Sequence, residues 1–211
     1  MPLPLFLQRV ADLGHKVFAK GVMNLNIVAV RCNYAAAGTF DDWITFWYKD
    51  TSENWVGHWW EGTTDPGLYW LGQPNGSNPK GTAIVKPGQY PGLWKVGLHH
   101  KHDPAKAYKA FEQTGVVTVY RDRNRDAVLD LDPRSEESGV YGINMHASDS
   151  NPWDGTDADR TLEAVGAWSA GCTVFARSSA FRQAVQLAEQ STALGHGSTF
   201  TYTLVRASDV A

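Results

Sequence analysis

Cysteine is scarce in this chain: Cys32 and Cys172 are the only two among 211 residues. Two thiols build no disulfide framework, and a chain this long needs none to fold. Neither sign of charge dominates. With Lys+Arg 19 against Asp+Glu 22 and a formal net charge of −3, no basic surplus argues for nucleic acid as the main partner. No apolar run approaches the roughly 18 residues that a membrane span needs. The first residues, MPLPLFLQRVADLGHK, lack a basic leader, a long apolar segment and a small-residue cleavage site. The expectation is synthesis in the cytoplasm, with action outside requiring release by some route other than an ordinary signal peptide. Repeats, low-complexity segments and cofactor signatures are absent too, and the chain is expected to be a monomer without a cofactor.

What is present is an ordinary globular composition, 43% hydrophobic and 19% charged, with an excess of tryptophan at nine. Many of these lie between Trp43 and Trp94. They read either as sheet and core packing or as an aromatic platform for a sugar or peptide.

Residues 5 to 20 predict one short helix, weakened by Gly14. From Leu25 the pattern turns β-like: LNIVAVRC, DDWITFWYKD and SENWVGHWWEG read as strands. Glycine and proline between Thr63 and Gly92 imply turns around short strands. AKAYKAFEQ reads as a helical turn before the strand GVVTVYRD, and GINMH as a strand ending on His146. A polar acidic loop runs from Ser148 to Glu163. SSAFRQAVQLAEQ is the clearest helix, capped by Ser178 or Ser179, with Phe181, Val185 and Ala188 on one face. STFTYTLV closes the chain as an alternating strand. The sum is a mainly β domain with a few helices (α+β): an N-terminal helical extension over 1–24 and a single domain over 25–211.

Cys32 ends an apolar run and reads as inert and buried. Cys172, in WSAGCTVF, is different. A thiolate nucleophile needs a base, a group to orient that base, and donors for an oxyanion. Gly171 lets the backbone approach a substrate, so the N–H groups of Gly171 and Cys172 are candidate oxyanion donors. His146, at the end of a strand, is the candidate base, and Ser169 can add a hydroxyl. Alternation puts Asn144 on the face of His146, where it can contact substrate, hold the ring or simply pack.

The segments GINMH and SAGC, with the helix and strand that follow, resemble the L,D-transpeptidase (YkuD) catalytic domain. GTAIVKPGQY also resembles that family's segment ending in Pro-Gly and an aromatic residue. More closely, the span from Leu25 to Val205 is similar to phage and bacterial variants sharing TTDPGLYWL, KGTAIVKPGQY, VYRDRNRD, GINMH and WSAGC. The resemblance implies an L,D-transpeptidase-like catalytic β fold with Cys172 as nucleophile and His146 as general base and acid. It implies that the backbone carbonyl of Ala147 orients the imidazole and that the Gly171 N–H joins the oxyanion hole. It implies peptidoglycan stem peptides as partners, with His99, which follows the segment bordering the family's site, as a candidate substrate contact; Tyr141, Asn144, Ser169 and Trp168, close in sequence to His146 or Cys172, are further candidates. Ala170 stands where the family has histidine, and Thr173 and Val174 stand where it has arginine or asparagine. The loop before the cysteine, with Trp153, Asp154, Asp157 and Asp159, is longer than usual. It either shapes the acceptor side of a cleft or is a solvated excursion. The altered motif favours hydrolysis, as L,D-carboxypeptidase or endopeptidase, over cross-linking; a phage-type lytic enzyme fits the missing leader.

Two other constellations compete. Asp122, Asn124, Asp126 and Asp130 are spaced like calcium ligands, but Ala127 and Pro133 occupy the positions of the loop's glycine and glutamate, so a salt-bridged turn is the preferred reading. His99, His100 and His102 have no accompanying ligand at a zinc spacing. His15, His58 and His196 show no partner in sequence. The alternative to an enzyme is a non-catalytic wall- or carbohydrate-binding module that uses the Trp-rich half. The enzyme reading requires Cys172 to be an accessible thiol of low pKa.

Overall fold

A computed structural model describes residues 1–32, 37–72, 78–124, 126–155 and 164–211. These residues are mainly β, with four short helices, as the strand-like segments in the sequence predict. Eight strands close into a barrel. Its order is β1 (Asn26–Arg31), β11 (Thr199–Arg206), β5 (Gly88–His99), β6 (Tyr108–Gln113), β9 (Met145–Ala147), β10 (Thr173–Phe175), β3 (Trp55–Thr63) and β2 (Asp42–Lys49), which pairs back to β1. A second, antiparallel sheet holds β4 (Thr82–Val85), β7 (Val117–Asp122) and β8 (Glu137–Gly139). The helices are α1 (Leu5–Asp12), α2 (Leu68–Leu71), α3 (Ser178–Ala193) and α4 (Ala207–Val210).

Burial explains the strand patterns. NIVAVR in β1 is buried at every position because it is covered on both faces. Ile27 and Ala29 join the main core, while Val28 and Val30 pack with Leu7 and Val10 of α1 and Val205 of β11. Each such Leu or Val taken from water contributes about 1.5–3 kcal/mol. The main core joins aromatic residues of the barrel, among them Phe46, Trp94, Phe111, Phe175 and Tyr202, to Phe181 of α3. Trp94 places its indole N–H 2.8 Å from the Ile143 carbonyl oxygen and so anchors the segment entering β9.

Three local readings are corrected. The first helix stops at Asp12, and Gly14 turns the chain at φ 84°, so residues 15 to 20 are not helical. AKAYKAFEQ contributes no helical turn; Tyr108–Gln113 is strand β6, laid antiparallel on β5 with Tyr108 opposite His99. The start of α3 has no side-chain cap, and the Ser178 hydroxyl instead donates to Asp149 at 2.9 Å. The face carrying Phe181, Val185 and Ala188 is buried, as predicted.

A buried charged cluster ties β1, β2 and β4 to the end of β3. Arg31 Nε lies 2.8 Å from Asp65 Oδ1 while its N–H is directed to Thr64 Oγ1, and its Nη1 reaches the Val85 carbonyl. Asp42 accepts from the backbone N–H groups of Cys32 and Thr64. Burial, then the neighbouring Asp65, pushes the Asp42 carboxyl up to about 6.

Candidate active site

Strands β9 and β10 lie side by side and parallel, with Met145 opposite Thr173 and His146 opposite Val174. The Thr173 N–H donates to the Asn144 carbonyl at 3.0 Å, carrying the ladder back to Cys172. Side chains alternate along a strand, so Asn144, His146, Cys172 and Val174 stand on one face. Cys172 falls one diagonal step from His146, a step of about 7–8 Å between Cα atoms.

Both groups are held by backbone. The His146 ring donates Nδ1–H to the Ala147 carbonyl at 2.8 Å, which fixes the tautomer and leaves Nε2 as the acceptor. Among the described residues nothing hydrogen-bonds Nε2. The imidazole is 1% exposed and packs face to face with His99, ring centres 4.2 Å apart and planes 17° apart. His99 is held by Asn144, whose amide lies 3.1 Å from His99 Nδ1. Asn144 also accepts from the Gln113 N–H at 2.8 Å. Cys172 is half-buried, and its thiol donates to the Gly142 carbonyl at 3.6 Å. No hydrogen bond joins Sγ to the imidazole; in unliganded enzymes such contacts are often long and tighten on substrate binding.

The SAGC turn is built around Gly171. Its φ is +119°, and a Cβ there would come within 2.4 Å of the Ala83 carbonyl oxygen on β4. Only glycine fits both the conformation and the approach. Ser169 is fully buried, accepting from the Gly171 N–H at 3.2 Å and donating to the Cys172 carbonyl at 2.8 Å. Two expectations therefore change. Ser169 braces the turn from inside instead of touching substrate, and the Gly171 N–H is already committed to it. The Cys172 N–H has no partner among the described residues and is the open donor.

The electrostatics also correct the sequence reading. Burial pushes the Cys172 thiol up to about 11, against the Asn144 N–H, which favours the thiolate. Burial holds His146 down at about 4, opposed by its bond to Ala147 and reinforced by His100. The resting pair is a neutral thiol and a neutral imidazole, not the low-pKa thiol expected. His99 is depressed to about 3 by burial and by its two histidine neighbours. Burial, then Cys172 and Asp149, raises the Tyr108 phenol well above its ordinary range, so it stays protonated.

The thiol opens on a cavity of about 340 Å³ whose walls include Asn78, Arg121, Tyr141, Gly142 and Ala170. Tyr141 is thus placed where a substrate contact was expected. His99 is instead stacked on the His146 imidazole and Asn144 is bonded to His99, while Trp168, half-buried, is not among the lining residues. Arg121 was read as the end of the strand GVVTVYRD and the start of a charged turn, and not as a site residue. The signal for it was alternation: in VTVYRD it continues the face of Val117 and Val119, both buried.

Elsewhere the candidates separate. Trp153 packs edge-on against Phe181 and donates to the Lys109 carbonyl; Asp157 and Asp159 lie outside the described residues. His58 stacks between Tyr48 and Trp60. His196 meets the Val22 carbonyl at 2.7 Å. Cys32 is half-buried instead of fully buried, beside a hollow lined by Arg31 and Arg206. Asn124 and Asp126 bond within their own turn, and Asp122 accepts from the Asp130 N–H. Among the described residues no group of three or more His, Cys, Asp or Glu could hold a metal ion, and no helix is long and apolar enough to cross a membrane. No family model, curated protein or solved structure matches the chain.

Proposed function

We propose that the chain is a cysteine peptidase of the L,D-transpeptidase type, cleaving peptidoglycan stem peptides through a thioacyl-enzyme with water as the usual acceptor. One observation carries this reading: an imidazole with Nδ1 tied to the Ala147 carbonyl stands on the same sheet face as Cys172, the residue that leads into the adjacent strand.

Attack of Cys172 Sγ on a peptide carbonyl transfers the thiol proton to His146 Nε2, and negative charge develops on the carbonyl oxygen near the Cys172 N–H. His146 then returns the proton to the leaving amine as the C–N bond breaks. Water, deprotonated by the same nitrogen, attacks the thioester and frees the thiol. Because the resting pair is neutral, proton transfer accompanies attack, and substrate must first bring Sγ and Nε2 together. The altered motif, with Ala170 in place of histidine, supports hydrolysis over cross-linking. Action on the wall after phage-type release belongs to the same reading.

The test is mass spectrometry of purified sacculi and soluble muropeptides after incubation with wild type and with Cys172→Ala. Loss of a terminal residue or cutting of a cross-link by wild type alone supports the proposal. No change with reduced wild-type protein removes it. A second reading, a wall- or carbohydrate-binding module, has one observation in its favour: Trp43 and Trp59 are each 43% exposed and meet edge to face at 6.2 Å. They border a hollow of about 240 Å³. Sugar binding that survives Cys172→Ala and is lost in Trp59→Ala, without wild-type turnover, would favour it.

A further inference from the structure

We infer that Arg121 makes the cavity beside Cys172 a carboxylate-binding subsite, so the preferred substrate carries a free carboxylate close to the bond attacked. The inference deepens the peptidase reading by naming what the substrate must bear, although the anion site itself stands on separate observations.

The first is an unmet donor. The Arg121 side chain is 2% exposed, and its Nη2 has no hydrogen-bond partner. Its other nitrogens are used: Nε donates to Glu137 at 3.2 Å and Nη1 to the Gly81 carbonyl at 3.3 Å. An unanswered N–H on a buried guanidinium is costly, about 1–3 kcal/mol or more, unless a ligand completes it.

The second is an unbalanced charge. Glu137 is shared with Lys80, whose Nζ stands 2.8 Å away, so two cations divide one carboxylate. Among the described residues lining the thiol-side cavity, Arg121 alone is charged. It also borders a neighbouring hollow lined by Arg123, Asp130, Asp132 and Arg134, where Arg134 is matched by Asp132 through two contacts at 3.0 Å and one at 2.8 Å. On the side of the thiol, no carboxylate among the described lining residues answers Arg121.

The third is geometry suited to a planar anion. The guanidinium carbon sits 4.5 Å from the centre of the Tyr141 ring, and Tyr141 lines the same cavity. A carboxylate accepts from such a fork through two oxygens, an arrangement roughly twice as strong as a neutral hydrogen bond. A cavity of about 340 Å³ accommodates one amino-acid residue with its terminal carboxylate. Arg121 thus places a cation near the nucleophile from a different strand, while Thr173 and Val174 follow the cysteine.

The experiment compares alkylation of Cys172 by iodoacetate and by iodoacetamide, followed by peptide mass spectrometry. In both, an S–C bond forms, the C–I bond breaks, iodide departs and the thiol proton passes to His146 or water; the reagents differ in the carboxylate. The expected ratio of iodoacetate to iodoacetamide rates at Cys172 is about tenfold above that of a neutral free thiol, an advantage of the size of one charge-assisted contact. The ratio falls to the free-thiol value in Arg121→Gln and partly recovers in Arg121→Lys, with circular dichroism confirming folding. Should the variants not fold, the wild type still decides: N-acetyl-D-alanine slows iodoacetamide alkylation of Cys172, and its amide does not. Equal ratios in wild type, a preference kept by Arg121→Gln, or equal protection by acid and amide overturns the subsite. A carboxylate preference without muropeptide turnover removes the peptidase reading and leaves the subsite; turnover without the preference does the reverse.

Discussion

Replacing Gly171 by alanine tests whether the close approach of the SAGC turn to β4 both supports the fold and positions the nucleophile. The added Cβ would sit 2.4 Å from the Ala83 carbonyl oxygen, with a backbone φ of +119°. The conformation alone costs a non-glycine residue about 1–3 kcal/mol. The contact adds more, because the listener on the other side is a strand backbone and not the yielding end of a side chain. A total of about 3 kcal/mol corresponds to a fall in Tm of about 6–12 °C for a domain of this size. Gly142→Ala is the matched control: its φ is +75° and nothing lies within 4 Å of the new Cβ, so only the conformational cost of about 1–2 kcal/mol applies. Thermal melts by circular dichroism at one scan rate give both values, and their difference is the contact. If the turn must shift by about 1 Å, kcat/KM on muropeptides falls about 100-fold in Gly171→Ala even well below its Tm. A Gly171→Ala protein that melts within a degree of Gly142→Ala and keeps its turnover would refute the reasoning.

His146→Ala is expected to remain folded while turnover falls by about 10²–10⁴, measured as kcat/KM beside a melting curve; near-wild-type activity would mean a different base. With His146 held at about 4, kcat/KM should stay flat from neutrality down to about pH 5 and fall as pH nears 4. Stability follows the same direction: the unfolded imidazole, ordinarily at about 6.5, takes its proton first, so stability is complete above about pH 6.5 and is lost as pH falls towards 4. The loss is at most about 3 kcal/mol for this group, and His146→Gln should flatten that part of a urea-melt pH series. Iodoacetamide labelling of Cys172, whose thiol is pushed to about 11, should accelerate about tenfold per pH unit from 7 to 10, and a plateau near neutrality would contradict a neutral resting thiol. Arg31→Met leaves the buried Asp42 and Asp65 without their cation and should cost about 3–5 kcal/mol, read as a large drop in urea midpoint that Asp65→Asn partly restores.

The regular parts of the fold were legible because one physical signal dominated each. Runs of branched and aromatic residues between polar turns marked β2, β3 and β7, alternation marked β11, and helical spacing of Phe181, Val185 and Ala188 marked α3. Tyr108–Gln113 was misread because Ala, Lys and Glu are good helix formers; pairing with β5, which buries Ala110 and Phe111, overrides that preference. At the site, sequence pointed to His146, Cys172 and the Ala147 carbonyl, and the structure places Ala147 on the ring nitrogen. It gave no means of seeing that Ser169 would occupy the Gly171 N–H, since that depends on how tightly the turn closes. Nor could it weigh the desolvation of Cys172, which depends on neighbours distant in the chain. Arg121 was missed for another reason: with Arg123 and Arg125 close behind it among acidic residues, a salt-bridged turn was the simpler interpretation, although its own side chain faces inward.

Parallel neighbours cannot be joined by a tight hairpin; the chain must leave the sheet and come back. Between β9 and β10 it does so over residues 148 to 172, yet the alignment of histidine and cysteine is fixed by the ladder from Asn144 to Thr173 and onward. Strand register, and not the number of residues joining the two strands, then sets how far apart the reacting atoms stand. A change that slips this register by one position would part the pair even if every side chain were kept.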